Sequence, residues 1–167
     1  EMASLGAQVM QARSIEVAKK FNVPLHVRSS YTTNPGTMII KEVSKMEDVV
    51  VSGVTLNKNG AKFTLCGVPD KPGVAVKLFK HLAEAGVSVD MIVQNVSHTR
   101  LTDMSFTIAK TDCAKATKIT KKVAGEIGAN EVLLDEDIAR VSIVGVGMKS
   151  HHGVAAKMFG IIAANKI

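Results

Sequence analysis

The sequence predicts an α+β protein made of two copies of one βαββαβ module, the second incomplete. Three observations predict it. Between residues 61 and 134 the pattern reads strand, helix, strand, strand, helix, strand. A glycine-led helix start recurs 80 residues further on, after a matching strand. The composition is 46% hydrophobic and 22% charged but only 4% aromatic, so the core must come from Val, Ile, Leu, Met and Ala. The β-branched members favour strands and the alanines favour helices.

Taken in order, residues 4–20 predict a helix, with Leu5, Val9, Ala12 and Ile15 at helical spacing and Ser4 able to cap its start. Pro24 ends it. Residues 25–30 alternate like a strand, Asn34-Pro35-Gly36 signals a turn, and residues 37–40 resume an extended run. The charged stretch 41–48 reads as a linker. Residues 49–56 predict a strand, Asn57-Lys58-Asn59-Gly60 a hairpin-type turn, and residues 63–68 the next strand. A tight loop over 69–73 leads to an amphipathic helix over 74–85, closed by Gly86. Strands come next over 87–96 and 104–109. Asp112 can cap a helix running to Ile127 and closed by Gly128. A short strand over 132–134, a solvated turn at Asp135-Glu136-Asp137, a strand over 141–146, and a helix from Val154 complete the chain. From residue 61 this is the split βαβ, or ferredoxin-like, order.

The repeat is specific. Gly73-Val74-Ala75-Val76-Lys77-Leu78-Phe79 returns as Gly153-Val154-Ala155-Ala156-Lys157-Met158-Phe159. The strand before each copy also matches, residues 63–68 against 141–146. The domain expectation is therefore residues 61–137 as the first module and 138–167 as the start of a second, truncated one. Residues 49–60 supply a strand belonging to the second module, 41–48 the linker, and 1–40 the end of a preceding unit. A chain opening on Glu1 also suggests a piece of something longer, and it shows no signal peptide.

Composition excludes several functions. The net charge is +6, but the four arginines are scattered and aromatics to stack on bases are scarce, so nucleic acid is not the expected partner. No apolar run approaches the ~20 residues that cross a bilayer. Cys66 and Cys113 lack CxxC spacing, and Cys66 reads as a small buried hydrophobe, as suits a reducing cytoplasm. Gly145-Val146-Gly147 has Ser150 where a dinucleotide loop needs its third glycine. Lys149-Ser150 comes after Met148 rather than the glycine of a phosphate loop. His151 and His152 are adjacent on one loop, a poor chelating geometry. No nucleophile–base pair stands out, so no catalytic residue is expected.

The strand–loop–helix junction Pro69-Asp70-Lys71-Pro72-Gly73 is more informative. Free amides at a helix start favour a carboxylate or phosphate. Gly73 and Ala75 let a ligand approach the backbone, and Asp70 could accept from an ammonium group. Two readings are open: a receptor for an amino-acid head group, or Asp70 as a helix cap with Pro72 starting the helix. Gln94, Asn95 and Ser97 either meet a ligand or satisfy a sheet edge.

Three segments together carry a family resemblance. They are residues 67–75 (Gly67-Val68-Pro69-Asp70-Lys71-Pro72-Gly73-Val74-Ala75), 89–97 (Val89-Asp90-Met91-Ile92-Val93-Gln94-Asn95-Val96-Ser97), and the stretch from Val141 to His151. With residues 2–9 and 29–37, the chain resembles the C-terminal part of aspartate kinase, with its tandem ACT domains, over essentially its full length. The resemblance implies a cytoplasmic regulatory module binding lysine or threonine at an ACT–ACT interface and feedback-inhibiting the phosphorylation of aspartate. Carried over by position, the effector contacts are Asp70, Gly73, Val74, Ala75, Gln94, Asn95 and Ser97, with Ser88, Val89 and Asp90 beside them. It implies a homo-oligomer, a dimer formed through the ACT domains, and a kinase lobe or catalytic subunit as partner. ATP and Mg belong to the whole enzyme; this chain needs no cofactor or metal and is not catalytic alone. A purely structural assembly module is the alternative.

Overall fold

A computed structural model describes residues 2–7, 10–40, 50–96, 101–145 and 151–167. The expected linker, Ser97 and Lys149-Ser150 lie outside the described residues. The chain divides into two compact units, residues 58–140 and residues 1–57 with 141–167.

The 58–140 unit holds a four-stranded sheet in the order β4-β5-β3-β6. Its strands are β3 (Gly53–Pro69), β4 (Val89–Val96), β5 (Leu101–Ala109) and β6 (Glu131–Val144). Helices α3 (Val74–Glu84) and α4 (Cys113–Ile127) connect them. With β3, α3, β4, β5, α4 and β6 in that sequence, the βαββαβ order is realised. Alternation decides which face is covered. Ala61, Phe63 and Leu65 on β3 and Met104, Phe106 and Ile108 on β5 are all buried, and they are register partners across the pair. Leu78 and Leu82 of α3, with Ala116, Val123 and Ile127 of α4, join the same core. Full burial of a Leu, Met or Phe contributes roughly 1.5–3 kcal/mol each. Phe63 and Phe106 stack at 5.2 Å between centroids, 8° from parallel, and Phe79 of α3 meets Phe106 edge-on at 5.6 Å.

Some elements differ from expectation. Asn57–Gly60 is no hairpin turn, because β3 runs unbroken through it. Gly60 pairs with Ala109, and the ladder overrides local turn preference. Asp135–Asp137 is likewise strand, inside β6. There the three exposed acids line a sheet edge, where charge discourages stray pairing. The expected helix over residues 4–20 is two pieces, α1 (Met2–Leu5) and α2 (Ala12–Lys20), so Ser4 lies inside α1 rather than at its start. Asp112 makes no side-chain cap bond to α4.

The second unit contains α1, α2, the antiparallel pair β1 (Leu25–Val27) with β2 (Thr37–Ile39), and α5 (Val154–Ala164). Thr55 Oγ1 donates to the Leu5 carbonyl at 3.2 Å. No helix among the described residues is long and apolar enough to cross a membrane. Neither thiol is activated. Cys66 is half-buried rather than buried; burial, then Asp103 and Glu131, push its pKa up. Cys113 starts a helix, a place that ordinarily lowers a thiol's pKa. Burial and a bond to Glu136 push it up instead.

Two substitutions test this account. Thr120 is fully buried on α4 and its hydroxyl has no partner among the described residues. Thr120→Val removes an orphaned hydroxyl at constant shape, so urea unfolding should show a gain of about 1 kcal/mol. Gly67 sits at φ +63°, and an added Cβ would collide with the Asn130 amide. Gly67→Ala should cost roughly 1–3 kcal/mol in the same experiment.

Candidate functional site

The expected ligand-binding junction forms where β3 hands over to α3. Between Leu65 and Val68 the β3–β5 register shifts by a bulge, which bends the strand and re-aims the chain beyond it. The Gly67 amide donates to Asp103 Oδ1 at 2.9 Å, and the Asn130 amide to the Cys66 carbonyl at 2.9 Å. The loop then tightens, with the Lys71 amide donating to the Pro69 carbonyl at 2.9 Å. Gly73 takes the left-handed conformation, φ +90° and ψ −9°, as the residue before α3. The Lys77 amide makes the first helical bond, 3.1 Å to the Gly73 carbonyl. The amides of Ala75 and Val76 are left without a backbone acceptor among the described residues.

Opposite this helix start, Leu65, Met104 and Gln94 form one row across β3, β5 and β4. Directly paired residues share a face, so Gln94 extends the buried Leu65–Met104 row out to the sheet edge. Loop, helix start, Met104 and Gln94 line an open cleft of about 300 Å³. Asp70, Gly73, Val74, Ala75 and Gln94 all line it, together with Lys71 and the fully buried Met104. Asp70 is exposed and makes no hydrogen bond or ion pair among the described residues. It is not bonded to the helix amides, as a cap would be.

The other candidates lie elsewhere. Asn95 pairs with Asp103, one position out of step with Gln94, and therefore faces the opposite side of the sheet. Ser88 comes just before β4, and Val89 and Asp90 stand at its far end, roughly 13–20 Å from Gln94 at ~3.3 Å per residue. Val89 packs on the core, and Asp90 is paired with the Arg140 guanidinium. Met104 and Lys71 were absent from the sequence-derived set. Counting the register from Leu65 across the sheet would have found Met104.

The duplicated junction repeats its backbone. Gly153, ahead of α5, has φ +89° and ψ −3°, nearly the values at Gly73. Its surroundings differ: Phe79 packs on the core, whereas its counterpart Phe159 is 63% exposed.

Comparison with known proteins adds a family. The ACT domain profile matches residues 64–123 and 141–167. An aspartate kinase of Pseudomonas fluorescens is 51% identical over 168 residues, a match taking in 100% of this chain and 41% of that protein. This chain thus spans about two fifths of the length of the curated relatives it matches. Among solved structures, the regulatory subunit of aspartate kinase from Thermus thermophilus in its ligand-free form superposes with a TM-score of 0.64 at 45% identity. That match covers 69% of this chain and 76% of that one. Aspartate kinase from Synechocystis gives a TM-score of 0.69 at 34% identity, covering 97% of this chain and 30% of that one.

An added Cβ at Gly73 or Gly153 meets nothing within 4 Å, so the constraint at both is the left-handed backbone alone. Gly73→Ala and Gly153→Ala should each destabilise by roughly 1–2 kcal/mol in denaturant unfolding, with no sign of overpacking.

Proposed function

The chain belongs to the ACT-domain family, as the regulatory region of an aspartate kinase, and from that premise we propose that its strand–helix cleft binds an amino-acid end product and feedback-inhibits the kinase. The effector is lysine, threonine or both. The single observation that carries this reading is the meeting, in one cleft, of Asp70 with the unbonded amides at the start of α3. A zwitterion needs both: hydrogen-bond donors for its carboxylate and an acceptor for its ammonium group. A cleft of about 300 Å³ stands at the lower end of metabolite sites, which suits so small a ligand.

Phosphorylation of aspartate, with ATP and magnesium, falls to a kinase lobe or catalytic subunit in the cytoplasm, which this region controls. Assembly goes through the ACT domains. Among the described residues, β4 ends the sheet with an unpaired edge carrying exposed Met91, Ile92 and Val93, a surface suited to a second copy of the chain. An effector bound at such an interface favours one arrangement of the modules over another, and that preference is transmitted to the kinase lobe as a population shift. Couplings of this kind are typically worth ~1–3 kcal/mol.

Thermal unfolding with added ligand tests the reading. At a hundred times its Kd, lysine or threonine should add roughly 2.7 kcal/mol of stability. Asp70→Ala should abolish that gain. A gain that survives the substitution places the ligand elsewhere, and no gain with either amino acid leaves only an assembly role.

A further inference from the structure

Cys66 and Gly67 on β3 stand opposite the single residue Asp103 on β5, since Leu65 pairs with Met104 and Val68 with Thr102. A bulge of this kind leaves backbone groups out of the ladder. The Asp103 carboxylate accepts from the Gly67 amide at 2.9 Å, and the Asn130 amide donates to the Cys66 carbonyl at 2.9 Å. Asp103 is exposed, does not line the cleft, and faces the side of the sheet opposite the Leu65–Met104–Gln94 row. We propose that Asp103 is a positioning residue: through Gly67 its carboxylate fixes the root of the loop over residues 69–73, and so sets the affinity of the cleft without touching what binds there. This deepens the amino-acid-binding reading above and rests on it.

The two sides of the cleft are held differently. α3 is seated by Leu78 and Leu82 in the core and by Phe79 against Phe106, so the amides at its start are fixed. The place of Asp70 depends on the loop. That loop keeps its own shape: Pro69 and Pro72 restrict φ, the Lys71 amide donates to the Pro69 carbonyl at 2.9 Å, and the Val74 amide to the Lys71 carbonyl at 3.4 Å. A loop stiff within itself turns as a body when its root turns. The root is Gly67, shortly before Asp70 in the chain. At φ +63° and without a Cβ, Gly67 takes its dihedral angles from what grips it. Asp103 grips its amide, and the Asn130 side chain fills the space a Cβ would need. The bond from the Asn130 backbone survives any change of side chain, whereas the bond to Asp103 does not. Every group in this linkage belongs to the 58–140 unit, so it operates whatever lies across the cleft.

Two substitutions in the whole chain test this, Asp103→Ala and Asp103→Asn, at an exposed position where neither threatens folding. Nuclear magnetic resonance reads the linkage directly. The Gly67 amide proton, bonded to a carboxylate, should resonate downfield and exchange slowly. Asp103→Ala should move it upfield, speed its exchange, and shift the amide signals of Asp70, Lys71 and Gly73. Asp103→Asn keeps an oxygen acceptor and should largely restore all of them. Titration calorimetry with threonine and with lysine reads the consequence. Whichever binds the unsubstituted chain should lose about fivefold in affinity with Asp103→Ala, but no more than about twofold with Asp103→Asn. Loop signals unmoved by Asp103→Ala, an affinity that Asp103→Ala leaves unchanged, or a loss that Asp103→Asn fails to rescue overturns the positioning role while the amino-acid-binding reading stands. Binding of neither amino acid to the unsubstituted chain overturns that reading, and the control of affinity with it.

Discussion

The register of β5 against its two neighbours is the constraint on which the site depends. β5 lies between β3 and β4, and side-chain direction alternates along it. A slip of one residue would turn Met104, Phe106 and Ile108 to the open face. The Phe63–Phe106 stack opposes that slip, since the two rings are direct register partners. Three of the chain's five phenylalanines are spent at this point, because Phe79 of α3 closes on Phe106 edge-on. One aromatic cluster thus sets the strands and seats the helix. The position of α3 over the Leu65–Met104–Gln94 row results from it, and so does the cleft.

The bulge at Cys66 and Gly67 is the second determinant. A regular strand would carry Pro69 and Asp70 onward in the plane of the sheet. The register shift turns the chain before the loop begins. It is held from both sides: β5 contributes the Asp103 carboxylate to the Gly67 amide, and the segment entering β6 contributes the Asn130 amide to the Cys66 carbonyl. Both bonds satisfy backbone groups that the interrupted ladder leaves over. The bulge is therefore a fixed feature of the sheet, and the cleft-lining loop starts from a defined direction.

The order of elements and the helix starts were readable from residues because they are local properties. Helical spacing in α3 and α4, and a glycine before each repeated helix, act within a few positions. The misread segments are those decided by partners distant in sequence. Asn57–Gly60 has strong turn preference, yet it lies within β3, whose partner β5 begins over forty residues later. The acids at Asp135–Asp137 resemble a solvated turn but occupy a sheet edge. Gln94 and Asn95 are neighbours of similar chemistry, and the apolar run before them gives no sign of which faces the helices. Only pairing with Met104 and Asp103 separates them. Met104 itself reads as an ordinary core residue until its row is traced to the edge.

The duplicated junction shows how far a local motif carries function. Gly73 and Gly153 share their dihedral angles, so seven similar residues suffice to copy a backbone. Copying the backbone copies only the helix start. The first loop adds Asp70, and the strands beneath add Gln94 and Met104. The second loop, residues 145–153, contains no carboxylate; it approaches its glycine through His151 and His152. Asp70 at the first junction has no equivalent acid at the second. The two helix starts are therefore alike in what they offer an anion and unlike in what they offer an amino acid, and the distinction lies in side chains that the repeat did not preserve.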